Sequence, residues 1–222
     1  SRWIRPLITR GLFLLNICMK KLILSFISLM TFAAPTYSKS FNEIIQRKSY
    51  TLECMASRKC KDGVRQVNDI TDIANIYPDS DYNIIANEFN RMLITLDRIG
   101  VKVFLADEKY FPAHFRGIYS TSRNNFYINQ SYMDDASTLI ATMRHEGWHV
   151  AQDCKAGIDN RELGLIIPEE NIPEYLKEVV EEIYYDEPNQ IPYEQGAFWA
   201  SMKKGATQYA LDVCVMKKLY FD

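Results

Sequence analysis

Apolar residues recur at helical spacing between positions 84 and 99, where Ile84, Ile85, Phe89, Met92, Leu93, Leu96 and Ile99 make one stripe. Asp79, Ser80 and Asp81 offer N-caps before it, and Gly100 supplies a stop after it. The period then shortens. Residues 101–105 read as a strand, Pro112 breaks the pattern, and 115–120 read as a second strand. Ser122-Arg123-Asn124-Asn125 is a turn, and 126–129 give a third short strand. A long helix follows over about 134–156, with Asp134, Asp135 or Ser137 as cap and Gly157 as stop. Pro173 opens another helix running to about residue 185, Pro192 opens a third, and Gly205 divides the last helical stretch. Upstream, 41–76 read as helical pieces around a Cys54–Cys60 loop. A small three-stranded sheet followed by helices is an α+β arrangement.

The polar pattern at the start of the chain is different. The first 38 residues carry Arg2, Arg5, Arg10, Lys20 and Lys21 and no acid. Met19-Lys20-Lys21 precedes thirteen uncharged, mostly apolar residues, 22–34, and then Pro35-Thr36-Tyr37-Ser38. A basic start, an apolar run of about 7–15 residues and small residues at its end describe a secretory signal peptide. Cleavage after Ser38 fits better than cleavage after Ala34, which would place Pro35 next to the cut bond. The alternative is a membrane anchor that also uses 11–18, but Lys20-Lys21 interrupts it, and a spanning helix needs about 20 apolar residues. The expected organisation is a leader at 1–18 that is not translated and a signal peptide at 19–38. An N-terminal helical region at 39–100 then forms a single domain with the region at 101–222.

Composition sharpens this reading. The 222 residues hold 47% hydrophobic and 24% charged residues, which supports a core and excludes wholesale disorder. Net charge is −2 for the whole chain and becomes −7 without the basic leader, so no nucleic-acid footprint is expected. Export also changes the meaning of the cysteines. Cys18 leaves with the leader, and Cys54, Cys60, Cys154 and Cys214 remain. An even count in an oxidising compartment implies two disulfides, of which Cys54–Cys60 and Cys154–Cys214 is one of three connectivities. The other reading is four buried thiols.

The chemistry concentrates at His145-Glu146-Gly147-Trp148-His149. Histidines at i and i+4 on a helix lie about 6 Å apart along the axis and about 40° apart around it, so both reach one metal ion. Glu146 is rotated by about 100°, where it addresses a water rather than the metal. Leu139, Ile140, Met143, Gly147, Val150, Ala151 and Cys154 share the opposite arc, which is the expected core face. Tetrahedral zinc needs a third protein ligand and an open position. Glu194, in the first turn of the helix that Pro192 opens and 45 residues after His149, is the first choice. Glu181, Glu182 and Asp186 are rival carboxylates.

At this point the chain resembles the gluzincin zinc metallopeptidases, whose pattern is a His-Glu-x-x-His helix followed by a glutamate on a later helix. The resemblance covers about 101–204. It implies His145, His149 and Glu194 as zinc ligands and Glu146 as general base, with strand 116–120 as the edge along which a peptide lies. It also implies a second oxyanion donor near the third ligand, for which Tyr184, Tyr185 and Tyr193 are the candidates. His114 precedes the sheet, with a surface role expected for it. Asp153 and Asp186 are conceivable outer partners of the ligand imidazoles, with Asp153 preferred.

The expected function is therefore an exported zinc-dependent peptidase, acting on a peptide or protein substrate, with no membrane span after signal cleavage. Two alternatives stand beside it: a catalytically silent zinc-binding module, and a zinc hydrolase of non-peptide amides. Intact Glu146 favours catalysis, because a purely structural site needs no base there.

Overall fold

Short strands with alternating apolar residues build a four-stranded sheet. In the computed structural model, which describes residues 62–112, 114–157 and 162–221, the strands are β1 (Val64–Gln66), β2 (Lys102–Ala106), β3 (Gly117–Ser120) and β4 (Asn125–Asn129). Their order is β1-β2-β4-β3. β1 runs antiparallel to β2, β2 parallel to β4, and β3 antiparallel to β4. The segments expected as leader, signal peptide and Cys54–Cys60 loop lie outside the described residues.

Alternation along β2 and β4 serves two apolar layers. Val103, Leu105, Phe126 and Ile128 face the main core. Phe104 stacks on Tyr127 with ring centroids 5.4 Å apart on the other face, beside Tyr110 and Phe111. β4 is central and buried along its whole length. The expected three strands become four because β1 pairs through its backbone, in a stretch whose sequence reads as helical pieces. Only Val64 of its three residues is apolar, so periodicity carries no signal there.

Among the described residues the α-helices are α1 (Ile70–Ala74), α2 (Asn83–Ile99), α3 (Ala136–Ala156), α4 (Glu174–Ile183), α5 (Ile191–Ser201) and α6 (Ala206–Phe221), of which α2 and α3 pack against the sheet. In α2 the stripe Phe89, Met92, Leu96 and Ile99 is buried, Asp81 accepts from the Asn83 amide at 2.9 Å, and Gly100 closes the helix at φ 99°. Ile84 departs from the predicted stripe. It is 84% exposed, because it sits at the fringe of the arc one residue before Ile85, which turns inward.

α3 is the central element and packs against α2, α5, α6 and β3. Its start is fixed by Asp135, whose carboxylate accepts from the Thr138 amide at 2.8 Å and from the Ser137 and Thr138 hydroxyls, a cap worth about 1 kcal/mol. The expected core arc is buried, but so is much of the opposite face, including Glu146, His149, Gln152 and Asp153. The two-faced helix of the sequence reading is therefore enclosed on both sides, because α5 covers the histidine face. A Cys154–Cys214 disulfide joins the end of α3 to α6. Among the described residues, no helix is long and apolar enough to cross a membrane.

Candidate metal centre

One turn of α3 separates His145 from His149, and the rings meet edge to face with centroids 5.0 Å apart. Their Nε2 atoms lie 3.3 Å from each other. The third member comes from α5, where Pro192 occupies the first turn, in which its missing N–H costs nothing. Glu194, in the same turn, places Oε2 3.2 Å from His145 Nε2 and Oε1 3.4 Å from His149 Nε2. The ligand atoms of the three residues all lie within 4.8 Å of one another.

This set fits a divalent metal. Two imidazole nitrogens and a carboxylate are a donor set zinc accepts. Glu194 Oε2 is buried, forms no well-aligned hydrogen bond and has His145 Nε2 at 3.2 Å, so it faces the point where the imidazoles converge. Burial would push the Glu194 carboxyl up, but the two imidazoles outweigh it and hold it well below the usual range. His149 shows the counterpart. Burial disfavours its charged form, yet the Glu194 carboxylate raises it to about 9.

Close approach of α5 depends on a glycine. A Cβ on Gly196 would stand 3.0 Å from Trp148 Nε1 and 3.4 Å from Gln152 Nε2. This explains a residue that costs about 1 kcal/mol in a helix relative to Ala. Phe198 then lies edge-on to His145 at 5.0 Å.

Glu146 projects from α3 toward the sheet edge. It is buried, and its carboxylate accepts from the Tyr119 amide of β3. Burial pushes it up, against the pull of His145 and His149, and its pKa ends above the ordinary carboxylate value. Gly117 makes room for it, since a Cβ there would fall 2.7 Å from Glu146 Cγ and 2.9 Å from Oε1.

Comparison with protein-family models, curated proteins and solved structures returns no match for the chain. The site therefore rests on its own geometry, a His-His-Glu triad in the layout of a His-Glu-x-x-His helix with a glutamate from a later helix.

The remaining residues singled out in the sequence take varied places. Tyr184, at the end of α4, sets its hydroxyl against the Glu194 carboxylate, and burial together with that charge raises it far above the usual phenol. Tyr185 is 79% exposed. Tyr193 is half-buried, and its carbonyl accepts from Gln152 Nε2 at 3.0 Å. Glu181, Glu182 and Asp186 are exposed and outside the triad, as is His114.

The outer partner of His149 is not Asp153. Asp153 is fully buried and takes the Tyr119 hydroxyl at 2.6 Å, tying α3 to β3. The partner is Gln152, whose Oε1 lies 2.8 Å from His149 Nδ1. Its orientation follows from its other contact. The Tyr193 carbonyl only accepts, so the amide nitrogen faces it and Oε1 faces the imidazole. Nδ1 must then carry a proton, which leaves Nε2 as the ligating atom. Sequence reasoning passed over Gln152, although its place at i+3 from His149 on the same helix face was a usable signal.

Proposed function

We propose that the protein is an exported zinc-dependent peptidase of the gluzincin type. The observation that carries this reading is the convergence of His145, His149 and Glu194 with the Glu146 carboxylate beside them. His145, His149 and Glu194 would hold a Zn²⁺ ion, which when bound would supply Lewis acidity toward a carbonyl and a water. Glu146 accepts the proton from the attacking water and passes it to the departing amine. Its raised pKa, set by burial, brings it nearer to the pH at which that exchange runs. Tyr184, whose protonated form is favoured by burial and by the Glu194 carboxylate, is the hydrogen-bond donor we assign to the developing oxyanion, in preference to Tyr185 and Tyr193.

The substrate path follows from the sheet. β3 is the edge strand next to α3, and apart from the Tyr119 amide held by Glu146 its outer side suits an extended peptide added as a further strand. Export is supported by the Cys154–Cys214 bridge, since disulfides persist in oxidising compartments.

The test is a peptide-library cleavage assay on zinc-loaded protein, with and without chelator, beside Glu146→Gln. The expected result is chelator-sensitive cleavage that Glu146→Gln abolishes while retaining zinc. Cleavage by the variant at the wild-type rate would overturn the mechanism. Zinc binding without cleavage of any peptide would reduce the protein to a binding module.

A further inference from the structure

Two surfaces of the molecule leave apolar residues bare, and they carry opposite charge. α6 is apolar on more than its inner face. Leu211 and Cys214 are buried inward, while Tyr209, Val213 and Met216 stand 74%, 42% and 51% exposed at i, i+4 and i+7. A helix apolar all round is normally covered on all sides. Beside that outer stripe, a groove of about 760 Å³ runs between α6, α3 and α5. Trp148, Ile166, Trp199 and Ala210 line it, with Val213 on its wall. Its charged groups are Lys155, Lys204 and Lys217, all exposed, and none of the described residues lining it is acidic.

The second surface is α4. Leu176 and Val180 are buried, but Tyr175, Val179 and Ile183 stand 60%, 44% and 52% exposed at i, i+4 and i+8. Exposed Glu174, Glu178, Glu181 and Glu182 share the helix. From 169 to 187 the chain holds eight acids and a single lysine, Lys177, which pairs with Glu174 at 2.7 Å. At 1.5 Å per residue the α4 stripe is about 12 Å long, and the stripe from Tyr209 to Met216 is about 10 Å.

We propose that a second copy of the chain seats its α4 in this groove. A convex acidic helix with an apolar row meets a concave basic groove with an apolar floor, the helix-in-groove mode of recognition. Apolar contact supplies the attraction, and the lysine–glutamate rim fixes orientation and excludes other registers. Because the two surfaces are different patches, the contact is head-to-tail. It yields a closed pair where two copies reciprocate and a chain of copies where they do not. None of these side chains belongs to the metal triad, so the proposal stands apart from the reading of that site.

The experiment is light scattering on the purified protein across micromolar concentrations. The wild-type mass is expected to rise with concentration to twice the single-chain value or beyond. Lys204→Glu with Lys217→Glu, and separately Glu178→Lys with Glu182→Lys, should each remain single chains. Their equimolar mixture should recover the assembled mass, because each reversed groove then meets a helix of opposite sign. Unchanged zinc content and circular dichroism establish that the variants are folded, all four positions being exposed. A wild type that stays a single chain throughout, or variants that assemble as it does, would overturn the proposal. So would a single-chain protein whose Trp148 and Trp199 fluorescence is quenched by a brominated fatty acid, which would give the groove to an anionic amphiphile.

Discussion

Gln152 is the residue on which two of the three ligands depend at once. It is 1% exposed, its Oε1 meets His149 Nδ1 at 2.8 Å, and its Nε2 donates to the Tyr193 carbonyl at 3.0 Å, one residue before Glu194. Replacing it with Leu keeps the bulk and removes both bonds. A stranded Nδ1–H and a stranded carbonyl cost about 1–3 kcal/mol each, so the metal-free fold should lose roughly 2–6 kcal/mol. Loss of an outer-shell partner typically costs about 10–100-fold in metal affinity, which is about 1.4–2.7 kcal/mol. Gln152→Glu separates the two contacts, because a carboxylate still accepts from Nδ1 but faces the Tyr193 carbonyl with no donor. That variant should keep the His149 Nδ1–H signal in a nitrogen-edited NMR spectrum while losing stability. The assay is zinc competition against a chromophoric chelator, paired with thermal unfolding of the metal-free protein. Gln152→Leu with wild-type zinc affinity and wild-type stability would refute the coupling.

Other consequences follow from packing and charge. Gly117→Ala should drive a methyl into Glu146 and cut turnover by about 10-fold or more through misplacement of the base, with zinc content unchanged; full activity in a steady-state assay would contradict the placement. Replacing Cys154 and Cys214 by Ser opens a loop of 60 residues, and urea unfolding should show a loss of about 4 kcal/mol on the chain-entropy model. Hydroxyl and amide donors lower the Asp135 carboxyl to about 2, below an unfolded value of about 3.9. Its contribution is therefore present above about pH 4 and lost as pH falls toward 2. Asp135→Asn keeps an acceptor but does not titrate, so the difference in stability between wild type and variant should shrink across that window.

How legible the molecule was depended on whether the signal was periodic. α2, α3 and α5 announce themselves through apolar spacing, a cap or a proline, and their observed bounds fall close to the expected ones. The triad was legible for the same reason, since i and i+4 on one helix fix two ligands and Pro192 places the third in a first turn. β1 was not, because a three-residue strand held by backbone pairing with β2 has no side-chain period. The burial of Glu146 and His149 was hidden too. It arises from β3 and α5 closing on α3, a tertiary event that the helix pattern does not encode. The glycines belong to the same class. Gly196 looks like a weakness in a helix until Trp148 and Gln152 are seen within contact of its missing Cβ.

The central claim is that His145, His149 and Glu194 hold a catalytic zinc ion, and metal content tests it most directly. Elemental analysis after dialysis against trace zinc should find one zinc per chain in the wild type and in Glu146→Gln. It should find a sharp loss in Glu194→Ala and in His149→Ala. A wild type that takes up no zinc, or a Glu194→Ala protein that keeps full stoichiometry, would contradict the account.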